Sequence, residues 1–180
     1  MYAKVLLALD GSTLARSAIP HAAHVAAPGV TVVVLHVVPT VDAVRRDIQG
    51  SAYEFTMGGE RSVDELTRST HFAQRNEAIA NLESAKRLLG QAGVSSVQTM
   101  VREGYPGNEI LDAAAEQGCD VIVMATRGHS GLGREVIGSV AEYVLRHAGN
   151  AAVLLVGPRT VPGLAVVAEP SGARAGTSGR

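Results

Sequence analysis

Five short runs rich in Val, Leu and Ile, at 5–9, 30–38, 97–101, 121–125 and 152–156, alternate with longer segments of helical apolar spacing. Each run has strand length. The second, fourth and fifth lack polar alternation, which is the pattern of strands buried on both faces. Between the first two, Ala15, Ala18, Ile19, Ala22 and Val25 share one helical face. Ser12 is placed to cap that helix, and Pro20 should kink it or loosen one turn. Ile79, Leu82, Ala85 and Leu89 form a second stripe, ended by Gly90 and Gly93. Ile110, Leu111, Ala114 and Ala115 mark a third helix, and Val136, Val140, Val144 and Leu145 a fourth. Strand alternating with helix predicts right-handed crossovers and a mostly parallel sheet. The expected fold is one doubly wound α/β domain with a five-stranded parallel sheet. In such sheets ligands collect at the carboxyl ends of the strands, where strand order reverses.

Two segments stand apart. Residues 40 to about 70 carry mixed charge, the pair Gly58-Gly59 and weak periodicity, so they read as a long, partly helical connection. From Gly157 the chain is rich in Gly, Pro, Ala and Ser. The expected division is a domain over 1–158 and a disordered tail over 159–180. No internal repeat is evident.

Composition narrows the picture. Hydrophobic residues make up 46% of the 180 but aromatic ones only 3%, so Ala, Val, Leu and Ile must build the core. The formal net charge of −1 gives no general attraction to nucleic acid or to anionic membranes. No apolar stretch approaches the roughly 20 residues of a membrane span, and Met1-Tyr2-Ala3-Lys4 does not open a leader. The expected location is the cytosol. The single cysteine, Cys119, excludes an intrachain disulfide and reads as a buried, inert thiol.

The stretch with most chemical content follows the fourth strand: Ala125-Thr126-Arg127-Gly128-His129-Ser130-Gly131-Leu132-Gly133, then Gly138-Ser139 opening a helix. Glycines at a strand end let backbone amides turn toward an anion, and a helix start adds unpaired amides and a dipole. The same residues also read as a flexible connection whose Ser139 caps its own helix. The phosphate-loop pattern Gly-x-x-x-x-Gly-Lys-[Ser/Thr] is absent. The glycines do not match Gly-x-Gly-x-x-Gly and follow the fourth strand, which argues against a Rossmann dinucleotide site. Asp10, in Ala8-Leu9-Asp10-Gly11-Ser12, is either a ligand carboxylate or a turn former. His36 reads as a core histidine, and His21 and His24 as surface residues. Glu54, Glu60 and Glu65 form no catalytic pair, and no Ser/His/Asp set or nucleophile elbow can be placed.

Four segments together resemble the universal stress protein family: Val5 to Asp10-Gly11-Ser12; Leu35-His36-Val37; Gly104-Tyr105-Pro106; and Met124-Ala125-Thr126-Arg127-Gly128-His129-Ser130-Gly131 with Gly138-Ser139-Val140-Ala141. The resemblance spans about residues 2–156. It implies strand order 3-2-1-4-5 and binding of ATP, with or without Mg2+. The family's signature is Gly, two residues, Gly, nine residues, Gly, then Ser or Thr. Here Gly128, nine residues and Gly138-Ser139 match, while the first position is Ala125. Its methyl either crowds the nucleotide or is harmless if the backbone stays extended. By the same resemblance Asp10 would contact ribose or base, Val37 would face the adenine, and Ala8 and Gly104 would line the pocket. Gly128, Ser130, Gly138 and Ser139 would hold phosphates, with Gly131 and Val140 beside them and Arg127 and His129 adding positive charge. A homodimer through the last strand is implied too. The function expected is ATP-linked stress signalling through conformation and association. The alternatives are a non-nucleotide interaction module of the same fold and a slow ATP-hydrolysing enzyme.

Overall fold

β1 (Lys4–Leu9) occupies the centre of a five-stranded parallel sheet, because its residues from Val5 onward are apolar and buried on both faces. In the computed structural model, which describes residues 2–51, 63–126 and 137–157, it is flanked by β2 (Thr31–Val38) and β4 (Val121–Ala125). β3 (Ser96–Glu103) and β5 (Ala152–Val156) form the edges, giving the order β3-β2-β1-β4-β5. The register runs Val5 beside Val32 and Val121, and Ala8 beside Leu35 and Met124. The carboxylate of Asp120 secures the start of β1 by accepting from the Lys4 amide at 3.2 Å and from the Ala3 amide.

Two helical layers cover the sheet. α1 (Thr13–Arg16), α2 (Ile19–Val25) and α4 (Val63–Gln91) set Ala15, Ile19, Ala22, Leu82 and Leu89 against Val5, Leu7, Val32 and Val34. On the other face α5 (Pro106–Gln117) and α6 (Ser139–His147) set Ile110, Ala113, Ala141 and Val144 against Leu6, Val33, Leu35 and Ile122. Each fully buried Leu or Val side chain contributes about 1.5–3 kcal/mol of transfer free energy. Alanine on the helices lets them lie close to the strands. The expected kink at Pro20 is a break. The Ser12 hydroxyl caps α1, accepting from the Ala15 amide at 3.0 Å, and α2 restarts with Pro20 in its first turn. Proline there lacks the N–H and crowds the carbonyl of Arg16, four residues back.

The segment at 40–70 holds more helix than its periodicity suggests. α3 (Val41–Ser51) starts under a cap from Thr40, whose hydroxyl accepts from the Ala43 amide at 3.2 Å. α4 is already running at Val63, so its inward face passes through Thr67, His71 and Gln74 before it reaches Ala78, Leu82, Ala85 and Leu89. The first half of that face is polar, which hides the helix from a search for apolar periodicity. Thr67 returns its hydroxyl to the Val63 carbonyl at 2.6 Å, and His71 lies 3.4 Å from the Glu103 carboxylate. Three residues expected on apolar faces point outward instead: Ile79, Ala115 and Leu145, with Ala78, Ala113 and Ala141 buried in their layers. Residues 52–62 and the tail from 158 lie outside the described residues, as do Glu54, Glu60 and Val136.

Cys119 is buried beneath α5 as expected. Burial pushes its thiol pKa up, with the Asp120 carboxylate adding to the effect and Lys4 opposing it. No helix among the described residues is long and apolar enough to cross a membrane.

Candidate functional site

Strand order reverses at β1, whose chain proceeds to β2 on one side while β4 lies on the other. Connections on either side of such a point leave opposite faces, so the strand ends there are left uncovered and form a crevice. In this protein a cavity of about 300 Å³ opens at that point, on the α5/α6 face. Its deep wall is apolar, made by Ala8, Leu35, Ile110 and Met124, all members of the core on that face. Val37 and Pro106 extend the wall toward the mouth.

Three polar features stand over this wall. The first is Asp10, one residue past β1 and part-exposed. Its Oδ1 accepts from the Ser12 amide at 3.0 Å, so it forms the turn and also lines the cavity. The turn-forming reading of that residue holds, and its place on the cavity wall leaves the ligand reading open.

The second is the start of α6. Gly138 is the N-cap, with φ −65° and ψ 152°, and no side chain among the described residues caps the helix. The Gly138 N–H donates to the Thr126 carbonyl at 2.7 Å, and its carbonyl accepts from the Glu142 amide at 2.9 Å. Gly138 therefore supplies no free amide itself. The first-turn amides of an α-helix lack intrahelical partners, and here they belong to Ser139, Val140 and Ala141, which line the cavity. With the helix dipole they favour an anion. The Glu142 carboxylate in the same turn is held by Arg146, 2.8 Å away, which weakens its opposition.

The third is Thr126, whose backbone is pinned on both sides: its N–H donates to the Val156 carbonyl at 2.8 Å and its own carbonyl accepts from Gly138. Among the described lining residues Asp10 is the only ionisable one. Arg127, Gly128, His129, Ser130 and Gly131 lie outside the described residues.

Of the residues singled out from sequence, Ala8, Asp10, Val37, Ala125, Gly138, Ser139 and Val140 meet around this cavity. Ala125 is 5% exposed at the end of β4, and the cavity remains open with its methyl in place. Gly104 does not line the cavity. It holds the turn from β3 into α5, with φ +156°, under the Glu109 side chain. Glu109 in turn pairs with Arg102, which also reaches Glu116. Chiefly through its hydrogen bond to Glu116, the Arg102 guanidinium is held above its ordinary pKa. His36 is buried at the end of β2 and faces α4, away from the cavity, with its ring near Gly11. His21 and His24 are exposed, and no cluster of metal-ligating side chains occurs among the described residues.

Sequence reasoning missed Leu35, Ile110, Met124, Pro106 and Thr126 as wall residues. Period-two alternation carries the signal for two of them. Once Ala8 faces the cavity, its register partners Leu35 and Met124 must face it too. The arrangement suits a flat apolar group against the deep wall, a hydroxyl near Asp10 and an anion at the start of α6. Among the described wall residues nothing pairs with Asp10 as a second acid–base group.

Comparison with known proteins fits this architecture. The family model described as the Universal stress protein family matches residues 1–156. Universal stress protein YxiE of Bacillus subtilis is 32% identical over 145 residues, covering 80% of this chain and 92% of that protein. Universal stress protein MJ0577 of Methanocaldococcus jannaschii is 31% identical over 157 residues, covering 87% and 95%. The structure solved for MJ0577 superposes with a TM-score of 0.68 over 89% of this chain and 99% of that one. A universal stress protein crystallised in complex with cAMP shares the fold, with a TM-score of 0.59 at 20% identity, covering 86% and 97%.

Proposed function

Because the chain belongs to the universal stress protein family, we propose that this stress-response protein binds ATP in the cavity at the strand reversal and works through nucleotide-linked conformation and association. The observation that carries the reading is a helix start whose N-cap is a glycine, with no side-chain cap among the described residues, set over an apolar crevice. Adenine would lie against Ala8, Leu35 and Val37, the ribose near Asp10, and the phosphates at the first amides of α6. One carboxylate on the described wall is a poor set for a divalent cation, so Mg2+ would travel on the phosphates. The cytoplasm is the location this reading assumes.

Nucleotide released from the purified protein by heat or acid, and identified by chromatography, tests the reading directly. Calorimetry with ATP and adenosine extends it. Asp10→Ala is expected to weaken both ligands by about tenfold, since a hydrogen bond to a charged group is lost in each. If the parent protein binds no ATP at millimolar concentration and carries none, the reading fails. The rival, a non-nucleotide module closed by Ala125, would then gain support if Ala125→Gly restored binding.

Association is proposed to run through β5. That strand lies at the edge of the sheet, and its Val153, Leu154 and Leu155 are only half-buried. An edge of this kind invites pairing. Light scattering at micromolar concentration should report a homodimer, and Val153→Lys should shift it toward monomer. A monomeric parent would refute the assembly without touching the nucleotide site.

A further inference from the structure

The side chain of Thr126 has no role in the site as described so far, although the residue lines the cavity. Its Oγ1 is shut away from water and has no hydrogen-bond partner among the described residues. Buried hydroxyls are nearly always paired, so an orphan calls for an explanation. The backbone cannot shift to relieve it, since Thr126 is tied to Val156 on one side and to Gly138 on the other. What remains is rotation about χ1, in which one step between staggered positions carries the hydroxyl to where the methyl or the hydrogen now stands. In its present rotamer the hydroxyl gains no hydrogen bond among the described residues that such a step would break. The bond between the Thr126 carbonyl and the Gly138 amide places this residue directly beside the start of α6.

We propose that the Thr126 hydroxyl is a further ligand-binding group of this cavity, donating to a phosphate oxygen alongside the first amides of α6. The inference rests on the nucleotide reading above and adds a contact with the anionic part of the ligand. Hydroxyl and amides would then meet the same charge from two elements, the end of β4 and the start of α6. A nucleoside, lacking that charge, would not engage the hydroxyl.

The test is a comparison of Thr126→Val and Thr126→Ser with the parent, by calorimetry using ATP and adenosine and by thermal melting without ligand. Valine keeps the shape and removes the hydroxyl. Thr126→Val is expected to weaken ATP about tenfold, in keeping with loss of a hydrogen bond to a charged group. It should leave adenosine unchanged and leave the ligand-free melting temperature equal to the parent's or above it. Thr126→Ser should restore ATP affinity. Thr126→Ala repeats the comparison with less bulk should valine perturb the fold. Unchanged ATP affinity in Thr126→Val overturns the inference. So does a lower melting temperature accompanied by equal losses for ATP and adenosine, because the hydroxyl would then be supporting the fold. A parent that binds no ATP at all sinks the nucleotide reading itself, which separates that failure from the other two.

Discussion

Gly138→Val is expected to lower ATP affinity by at least about tenfold, or ~1.4 kcal/mol, while the protein stays folded. The backbone at Gly138 is in the ordinary extended region, so valine is sterically allowed there. The bond from its amide to Thr126 is independent of side chain and persists. Valine is a poorer N-cap than glycine, which costs about 0.5–1 kcal/mol of stability and leaves the fold intact. What changes is the space. Gly138 lines the cavity immediately before the amides of Ser139, Val140 and Ala141, and two methyl groups would occupy the approach to them. Adenosine, which places no group there, should lose less than ATP. Calorimetry with both ligands, and circular dichroism to verify folding, decides the matter. Parent-like ATP binding in a folded Gly138→Val protein would show that the phosphates lie elsewhere.

The second large effect falls on stability. Gly104→Ala is expected to destabilise the protein by about 2 kcal/mol, because Gly104 has φ +156°, a conformation almost confined to glycine. Space is short as well: an added Cβ would stand 2.6 Å from Oε1 of Glu109. That carboxylate pairs with Arg102, so moving it would disturb the link between β3 and α5. For a domain of this size the loss corresponds to a fall in melting temperature of roughly 4–8 °C. Scanning calorimetry gives the answer, and a fall under about 1 °C would mean that the turn relaxes without strain.

The two glycines differ in what the sequence could reveal of them. Gly138 belongs to a spaced signature and sits on the cavity. Gly104 was placed in the pocket by resemblance, and its structural task depends on Glu109, five residues later. The strands were legible because β1, β2 and β4 are buried on both faces and are mostly apolar, with only Lys4, Thr31 and His36 as polar members. α4 was legible only in its second half. Leu82, Ala85 and Leu89 announce a stripe, whereas Thr67, His71 and Gln74 occupy the same face as polar residues and conceal it. Ile79 and Leu145 misled because a large apolar residue one position off the stripe counts toward it in sequence and points outward in space. For the site, Asp10 and Gly138-Ser139 stood out by residue type and spacing, and Ala125 through the resemblance. The deep wall did not, since Leu35, Ile110 and Met124 look like any core residues until the register brings them together.

The central position of β1 also bears on how the chain is made. Its neighbour β2 is nearby in sequence, but its other neighbour follows only after most of the protein: Lys4 and Asp120, which meet across the bottom of the sheet, are 116 positions apart. At a synthesis rate of roughly 5–20 residues per second, β1 would leave the ribosome about 6–23 s before β4. During that interval one edge of this buried, apolar strand has no native partner, while β2, α4 and β3 can already assemble on the other side. Closure of a loop this long is a slow, high-contact-order event. The nascent chain therefore passes through a half-sheet whose open edge is β1, a natural point of engagement for a chaperone and a natural origin of aggregation when the protein is produced in excess.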